Sequence, residues 1–437
     1  MKLRDPGEKL GEITGKNVEE LSKKLPQGRE WHSFHVRLIT PMFGGGVCKG
    51  EPDSDMPVRA SAIRGQLRYW WRFLRKNHPE ESCRLNGEEL FSREGEIWGK
   101  MAEGEQDGAS KVFLRVRNAS QPTITPFSAE DNKKYGYVLF PAREQQNENI
   151  SAKRLVRPGM TFTLDITCPD ELWDTILKTV RWWATFGGLG GRTRRGCGSV
   201  WIKEITPVSQ QEVNNVGGRL EFYGHYRSDD ALEAWEKAGK TLADFRQKPD
   251  IGRNPGFGRS RWPEADSIRE ITNTFSRTKT GSKCKEHRPT HRARIAFPRA
   301  AFGLPIIFKF KTTDEVCGDP PQTELLPSGG ERLASPLILT PYPVMIGNQL
   351  KYRPAALLMP NSHINALQLE LKYTGQDTPL PAVPEGKEEQ WAESGWKNWQ
   401  KEWWNQEKKQ HVFPMQKAGG NNALEAFMNF FAKGGRL

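Results

Sequence analysis

No apolar run in this 437-residue sequence approaches the ~18 residues that a bilayer-crossing helix needs, so a membrane-spanning helix is not expected. The opening stretch MKLRDPGEKLGEI lacks the apolar centre of a secretory signal, which points to retention in the cytoplasm. Cysteine is sparse. The six (Cys48, Cys83, Cys168, Cys197, Cys284 and Cys317) are scattered without a paired framework, as suits a reducing compartment, and disulfides are not expected. Tyrosine is scarce beside tryptophan, 8 against 15, and abundant Trp with Arg suits packed interfaces and stacking on bases. Negative charge is in deficit. Against 65 Lys plus Arg stand 53 Asp plus Glu, and the net charge of +12 favours a polyanionic partner.

The pattern that remains is that of a multi-domain α+β protein. Residues 33–40 alternate Phe34, Val36 and Leu38 with Ser33, His35 and Arg37, a half-buried strand. Three glycines, Gly44, Gly45 and Gly46, then require a loop. In residues 59–76, Ile63, Leu67, Trp70 and Leu74 recur at helical spacing, and Arg64, Arg68, Arg72 and Arg75 form a second arc about 120° away. Strands are expected at 111–116, 137–140 and 161–167. A second helix over 170–186 carries Trp173, Ile176, Val180 and Trp183 on one face and ends at Gly187. A strand at 199–205 completes the order strand, helix, two or three strands, helix, strand, which is the ferredoxin-like plan of RNA-recognition modules. This sets a first domain at 1–208, preceded within it by a short helix over 17–25.

Residues 209–218 read as a linker and 219–373 as a second domain, with strands at 293–297, 306–310 and 337–339. After a Pro/Gly-rich stretch, 386–437 reads as a helical tail. There Trp396, Trp399 and Trp403 line one helix, and Leu424, Phe427, Met428 and Phe431 line another.

Two segments could carry nucleic-acid chemistry. Residues 187–200, GGLGGRTRRGCGSV, combine glycines that admit close backbone approach with Arg192, Arg194 and Arg195, whose forks match phosphate oxygens. The Gly-Lys-Ser/Thr ending of a nucleotide-binding P-loop is absent. The bland alternative is a turn that merely joins helix to strand. Residues 251–300 hold twelve Lys or Arg against four acids, with Phe257 and Trp262 interleaved. That composition suits either an arm tracking a single strand or a solvated charged insertion. Inside it, Cys284, His287 and His291 have C-x2-H-x3-H spacing, one ligand short of a structural zinc site. The expectation is no bound metal and no cofactor.

Taken together, ITPMFGGG, MPVRASAIRGQLRYWWRFLR and the Gly/Arg segment resemble the RAMP superfamily of CRISPR proteins, and within it the first-subunit family of type III-B Cmr complexes. Arg332-Leu333-Ala334-Ser335-Pro336-Leu337 resembles that family's later Arg-x-Ala-Ser-Pro segment. The resemblance implies two ferredoxin-like (RRM-like) RAMP domains with a helical C-terminal extension. It implies a non-catalytic subunit that binds guide and target RNA beside other Cmr subunits and caps the effector backbone near the 3′ end of the guide. The residues expected at RNA are Gly44, Gly45, Gly46, Arg59, Arg64, Arg68, Trp71, Arg72, Arg192, Arg194, Arg195, Arg261 and Arg299.

Two other classes stay open. One is a RAMP endoribonuclease, with Asp53 and Asp55 or His32 and His35 as acid-base candidates. The other is an adaptor that touches only proteins. If Arg64 and Arg68 face RNA, replacing them weakens binding and leaves the fold intact. If they are internal struts, the fold suffers.

Overall fold

Side-chain alternation sets the first strand. In a computed structural model describing residues 30–101, 108–145, 149–276, 287–310, 318–361, 369–373, 396–399 and 410–437, β1 (His32–Leu38) buries Phe34, Val36 and Leu38 and exposes Ser33, His35 and Arg37. After the short β2 (Met42–Phe43) comes α1 (Ala60–Lys76), whose buried stripe is Ile63, Leu67, Trp70, Trp71 and Leu74. The Asn77 side chain closes its C-terminus by donating to the Phe73 carbonyl at 2.8 Å.

The chain continues through α2 (Gly87–Trp98), β3 (Phe113–Arg117), β4 (Ile124–Pro126) and α3 (Ala129–Tyr135), which opens on a Ser128/Asp131 capping box. Then follow β5 (Arg154–Val156), β6 (Thr161–Thr167), α4 (Asp170–Phe186) and β7 (Val200–Ile202). The main sheet runs β3-β6-β1-β7 with every pair antiparallel, and β2, β5 and β4 form a small second sheet. Helices α1 and α4 cover one face of the main sheet, and the Trp70 and Trp182 rings meet 5.9 Å apart in that core.

The expected linker at 209–218 is instead a short helix, α5 (Gln210–Asn215), because Ser209 and Glu212 satisfy its N-terminus reciprocally. Beyond it lie β8 (Arg219–Phe222), α6 (Ala231–Gln247), α7 (Glu264–Thr272), β9 (Ile306–Phe308) and β10 (Thr323–Pro327). The hairpin β11 (Leu337–Ile346) and β12 (Gln349–Leu358) follows, then β13 (Leu369–Tyr373), β14 (Trp396–Trp399), α8 (Phe413–Ala418) and α9 (Ala423–Ala432). Two antiparallel sheets result, β11-β12-β8 and β14-β13-β10-β9. Leu424, Phe427, Met428 and Phe431 of α9 are buried with Phe245 of α6 in a second core.

Several expectations change. Residues 137–140 turn rather than extend, and enter a 3-10 helix at Phe140–Ala142 that places Pro141 in its first turn, where a missing N–H costs nothing. Residues 293–297 form no strand. The Ser267 hydroxyl of α7 accepts from the Ala296 N–H at 3.0 Å and lies 2.9 Å from the Ala296 carbonyl, supplying partners that a neighbouring strand would otherwise give. Trp396–Trp399, expected in a helix, pairs antiparallel with β13, since a neighbouring strand edge overrides a spacing that four residues specify weakly. Trp403, the helix expected over 17–25, Cys284 and Cys317 lie outside the described residues. No helix among the described residues is long and apolar enough to cross a membrane.

Candidate nucleic-acid interface

The two glycine-rich segments meet. Leaving β2, the chain turns through Gly44 and Gly45, both with positive φ, and the Gly191 N–H donates to the Phe43 carbonyl at 2.7 Å. A Cβ on Gly190 would lie 2.5 Å from that same carbonyl oxygen, so glycine is required there by backbone packing. Gly198, also at positive φ, donates to the Pro41 carbonyl at 2.9 Å. Arg59 at the start of α1 donates to the Gly45 carbonyl and fixes the tip of the first loop. These contacts juxtapose the segment around 41–46 with the one around 187–198, which sequence periodicity alone left unconnected.

The arginines are deployed differently from the expectation. Arg64 donates to the Trp98 and Val112 carbonyls at 3.2 and 3.1 Å, and burial draws its pKa below the usual guanidinium value. Arg68 and Arg72 both grip the buried Glu94 of α2, at 2.6 and 2.5 Å. Arg75 reaches Thr175 of α4 at 3.1 Å. The basic arc of α1 therefore ties three elements together. Trp71 is 0% exposed and belongs to the core, so its indole offers no stacking face. It belongs to the buried stripe of α1 and to the first core.

Arg194 and Arg195 bind protein as well. Arg194 donates to the Ser335 carbonyl and, at 3.1 Å, to the Tyr69 hydroxyl. Arg195 donates to the carbonyls of Leu337 at 3.0 Å and Phe302 at 3.3 Å, and burial pushes its pKa down to about 10. Both thus clasp the 332–337 segment singled out by its Arg-Leu-Ala-Ser-Pro pattern. Arg299 is buried against Glu264 at 2.9 Å, which removes it from any outer surface. Arg261 stacks 3.9 Å above the Phe413 ring.

A basic group remains around the joined loops, in which Lys49, Arg154 and Phe140 are exposed while Arg192 is half-buried and burial draws its pKa down. Arg192, in the left-handed region at φ 59°, bonds the Val138 carbonyl and holds its guanidinium 4.8 Å over Phe140, which is 57% exposed. Lys153 approaches the same rim. Its N–H donates to the Ala142 carbonyl at 2.9 Å, and its ammonium is 3.6 Å from Glu51. With Gly45, exposed Lys49 and Arg154, it forms a basic lip with one exposed aromatic ring. Phe140 was missed in the sequence because 137–140 read as a strand, and Lys153 because no local pattern singles it out. The proline directly after Phe140 was the available signal for a turn.

The acid-base candidates have structural partners. Asp53 accepts the Asp55 and Met56 N–H groups, each at 3.0 Å, and the Met56 and Asp55 bonds hold its carboxyl below the usual range. His32 stacks on Trp173 with centroids 3.5 Å apart, and His35 pairs with Glu204 at 2.6 Å. His291 accepts the Ala293 N–H through Nδ1, so Nε2 carries the proton donated to the Arg261 carbonyl at 3.1 Å. His287 is bonded to Asp319 at 2.7 Å. No cluster of three metal-ligating side chains occurs among the described residues. The basic stretch 251–300 is neither arm nor solvated insertion where described: Trp262, Ile268, Ile271 and Phe297 enter the second core.

Residues 35–201 match the family model of the RAMP superfamily. The region spans β1 to β7 and includes both glycine-rich segments. Among solved structures, the chain is similar to Cmr1 from Pyrococcus furiosus in its apo form. That match has 17% identity and a TM-score of 0.42, covering 76% of this chain and 89% of that one. It is also similar to a chain of the type III-B Cmr-beta complex solved with cognate target RNA and AMPPnP in the presence of single-stranded DNA. There identity is 11% and the TM-score 0.36, covering 74% and 94% of the two chains. No curated protein sequence matches it.

Proposed function

We propose that this chain is an RNA-binding subunit of a type III-B Cmr effector, without a cleavage step of its own. The observation that carries the reading is the meeting of the two glycine-rich segments inside the region that matches the RAMP-superfamily family model, rimmed by Arg192, Lys153, Lys49 and exposed Phe140. Cations of this kind hold a phosphate backbone and an exposed ring stacks on a base, which positions a strand without reading its sequence. The +12 charge favours the same partner. Guide pairing then supplies specificity.

In this reading the first half is a ferredoxin-like module with strand order β3-β6-β1-β7, and β8, α6, β11, β12 and α9 form a second such module. The chain sits beside other Cmr subunits, capping the backbone near the 3′ end of the guide and helping to capture target RNA. Gly44, Gly45, Gly46, Arg59 and Arg192 keep their place at the RNA lip, and Arg261 belongs to a separate cleft. The test is anisotropy of labelled single-stranded RNA titrated with the full chain across salt. A log-log slope growing by ~0.7 per neutralised phosphate is expected. A flat slope, with binding to Cmr subunits intact, replaces this reading with the protein-only adaptor.

A further inference from the structure

A cleft of about 360 Å³, sharing no lining residue with the joined glycine loops, lies between the loop entering α7, residues 290–292 and the start of α8. Its volume falls in the ~300–1,000 Å³ range of small-ligand sites. One wall is flat: the Arg261 guanidinium lies 3.9 Å above the Phe413 ring. The guanidinium is held in place, since Nε donates to Asn254 Oδ1 at 3.1 Å and Nη1 donates to the Asp250 carbonyl. Its backbone is also fixed, because the His291 Nε2–H reaches the Arg261 carbonyl at 3.1 Å.

Spare hydrogen-bond donors also line the cleft. Arg292 and His411 both line the cleft, both are exposed, and neither has a hydrogen-bond or ion-pair partner among the described residues. The acid present, Asp266, is already consumed. It accepts from Arg259 at 3.0 Å, from Arg269 at 3.2 Å and from the N–H groups of Thr290 and His291 at 3.0 and 3.1 Å. Those bonds also pin the segment that presents Arg292.

We propose that this cleft binds one phosphorylated nucleotide unit. The base stacks on the Arg261 guanidinium, and the phosphate lies on Arg292 and His411. A planar cation backed by an aromatic ring selects a base, because every base has a π-face. Two unpartnered donors on the same lining select a phosphate. A bare anion would leave the stacked wall unused. Free mononucleotide and a nucleotide within an RNA strand present the same chemistry. The second source rests on the RNA-binding reading above.

The test is calorimetric titration of the full chain with 5′-UMP, uridine and inorganic phosphate, beside anisotropy with a single-stranded 12-mer RNA. UMP should bind at least about tenfold more tightly than either fragment. Arg292→Gln and His411→Gln should each weaken UMP by roughly tenfold, the effect of losing one charge-assisted contact, with unchanged thermal unfolding. Competition of the 12-mer with UMP identifies the strand as a source. Its absence, with UMP bound, identifies free nucleotide. Equal affinity for UMP and phosphate, or wild-type UMP affinity in both variants, overturns the proposal. If that happens while the 12-mer still binds, the cleft falls alone. UMP binding without any binding of the 12-mer sinks the RNA reading and leaves the cleft.

Discussion

Arg195 Nη1 donates to the Leu337 carbonyl at 3.0 Å, across 142 positions of sequence. The same guanidinium reaches Phe302, and the indole N–H of Trp235 donates to the Arg195 carbonyl at 2.6 Å. A loop rich in Gly and Arg is thereby the joint between the first sheet and the hairpin β11–β12. The charge that looked available for phosphate is spent on carbonyl oxygens.

Replacing that guanidinium should loosen the joint. Arg195→Met leaves the Leu337 and Phe302 carbonyls without a donor in a region closed to water, at about 1–3 kcal/mol for such a group. Chemical denaturation should show the loss as a lower midpoint. RNA affinity, measured well below that midpoint, should stay within about twofold, because Arg195 is not on the lip. A selective loss of RNA affinity at unchanged stability would place Arg195 at the strand instead.

The arginine arc of α1 leads to a matching expectation. Glu94 is buried and holds Arg68 and Arg72, so Glu94→Gln should destabilise the fold by about 1–2 kcal/mol. The loss is moderated because both arginines are partly exposed and can turn to water. Arg64→Ala, which strips a donor from two carbonyls, should cost a similar amount. The salt slope of RNA binding should be unchanged in both. A slope reduced by ~0.7 in Arg64→Ala, with unaltered unfolding, restores the arc to the RNA surface.

The main sheet and its two helices were legible because period 2 in 33–38 and period 3.6 in 60–76 and 170–186 report burial directly. The destination of the arginines was not. Arg194 and Ser335 are 141 positions apart, and Arg68 and Glu94 are 26 apart. A cationic side chain looks alike in sequence whether its acceptor is a phosphate, a carboxylate or a carbonyl. Trp71 failed for a related reason: an aromatic beside a helical stripe looks alike in sequence whether it packs in the core, as Trp71 does, or stacks on a base. The meeting of the glycine segments rests on Gly190 packing against the Phe43 carbonyl, a long-range fit that composition does not encode.

On the outer face of the main sheet, Asp165 is 0% exposed and takes bonds from Arg117, Arg115 and Ser33. The Arg117 bond above all holds its carboxyl well below the usual range. A pKa depressed in the folded state gives stability that is complete above the unfolded value of ~3.9 and is lost as pH falls toward the folded one. Asp165→Asn should therefore lower the midpoint at pH 7, by about 1–2 kcal/mol given the half-exposed arginines. The gap to wild type should shrink below pH 4. A gap that persists unchanged at pH 3 contradicts this account.

The lip should respond to charge and to ring separately. Lys153→Gln removes a cation from the rim, so single-stranded RNA binding should weaken and its salt slope should drop by ~0.7. Phe140→Ala removes only a stacking face, at ~1–3 kcal/mol per base, so affinity should fall by roughly tenfold while the slope holds. Arg192→Gln should show both effects, because the guanidinium is charged and lies over the Phe140 ring. Anisotropy titrations of the three variants at several salt concentrations separate the two contributions. Phe140 is exposed, so Phe140→Ala should fold normally, and wild-type affinity in that variant would remove the ring from the interface.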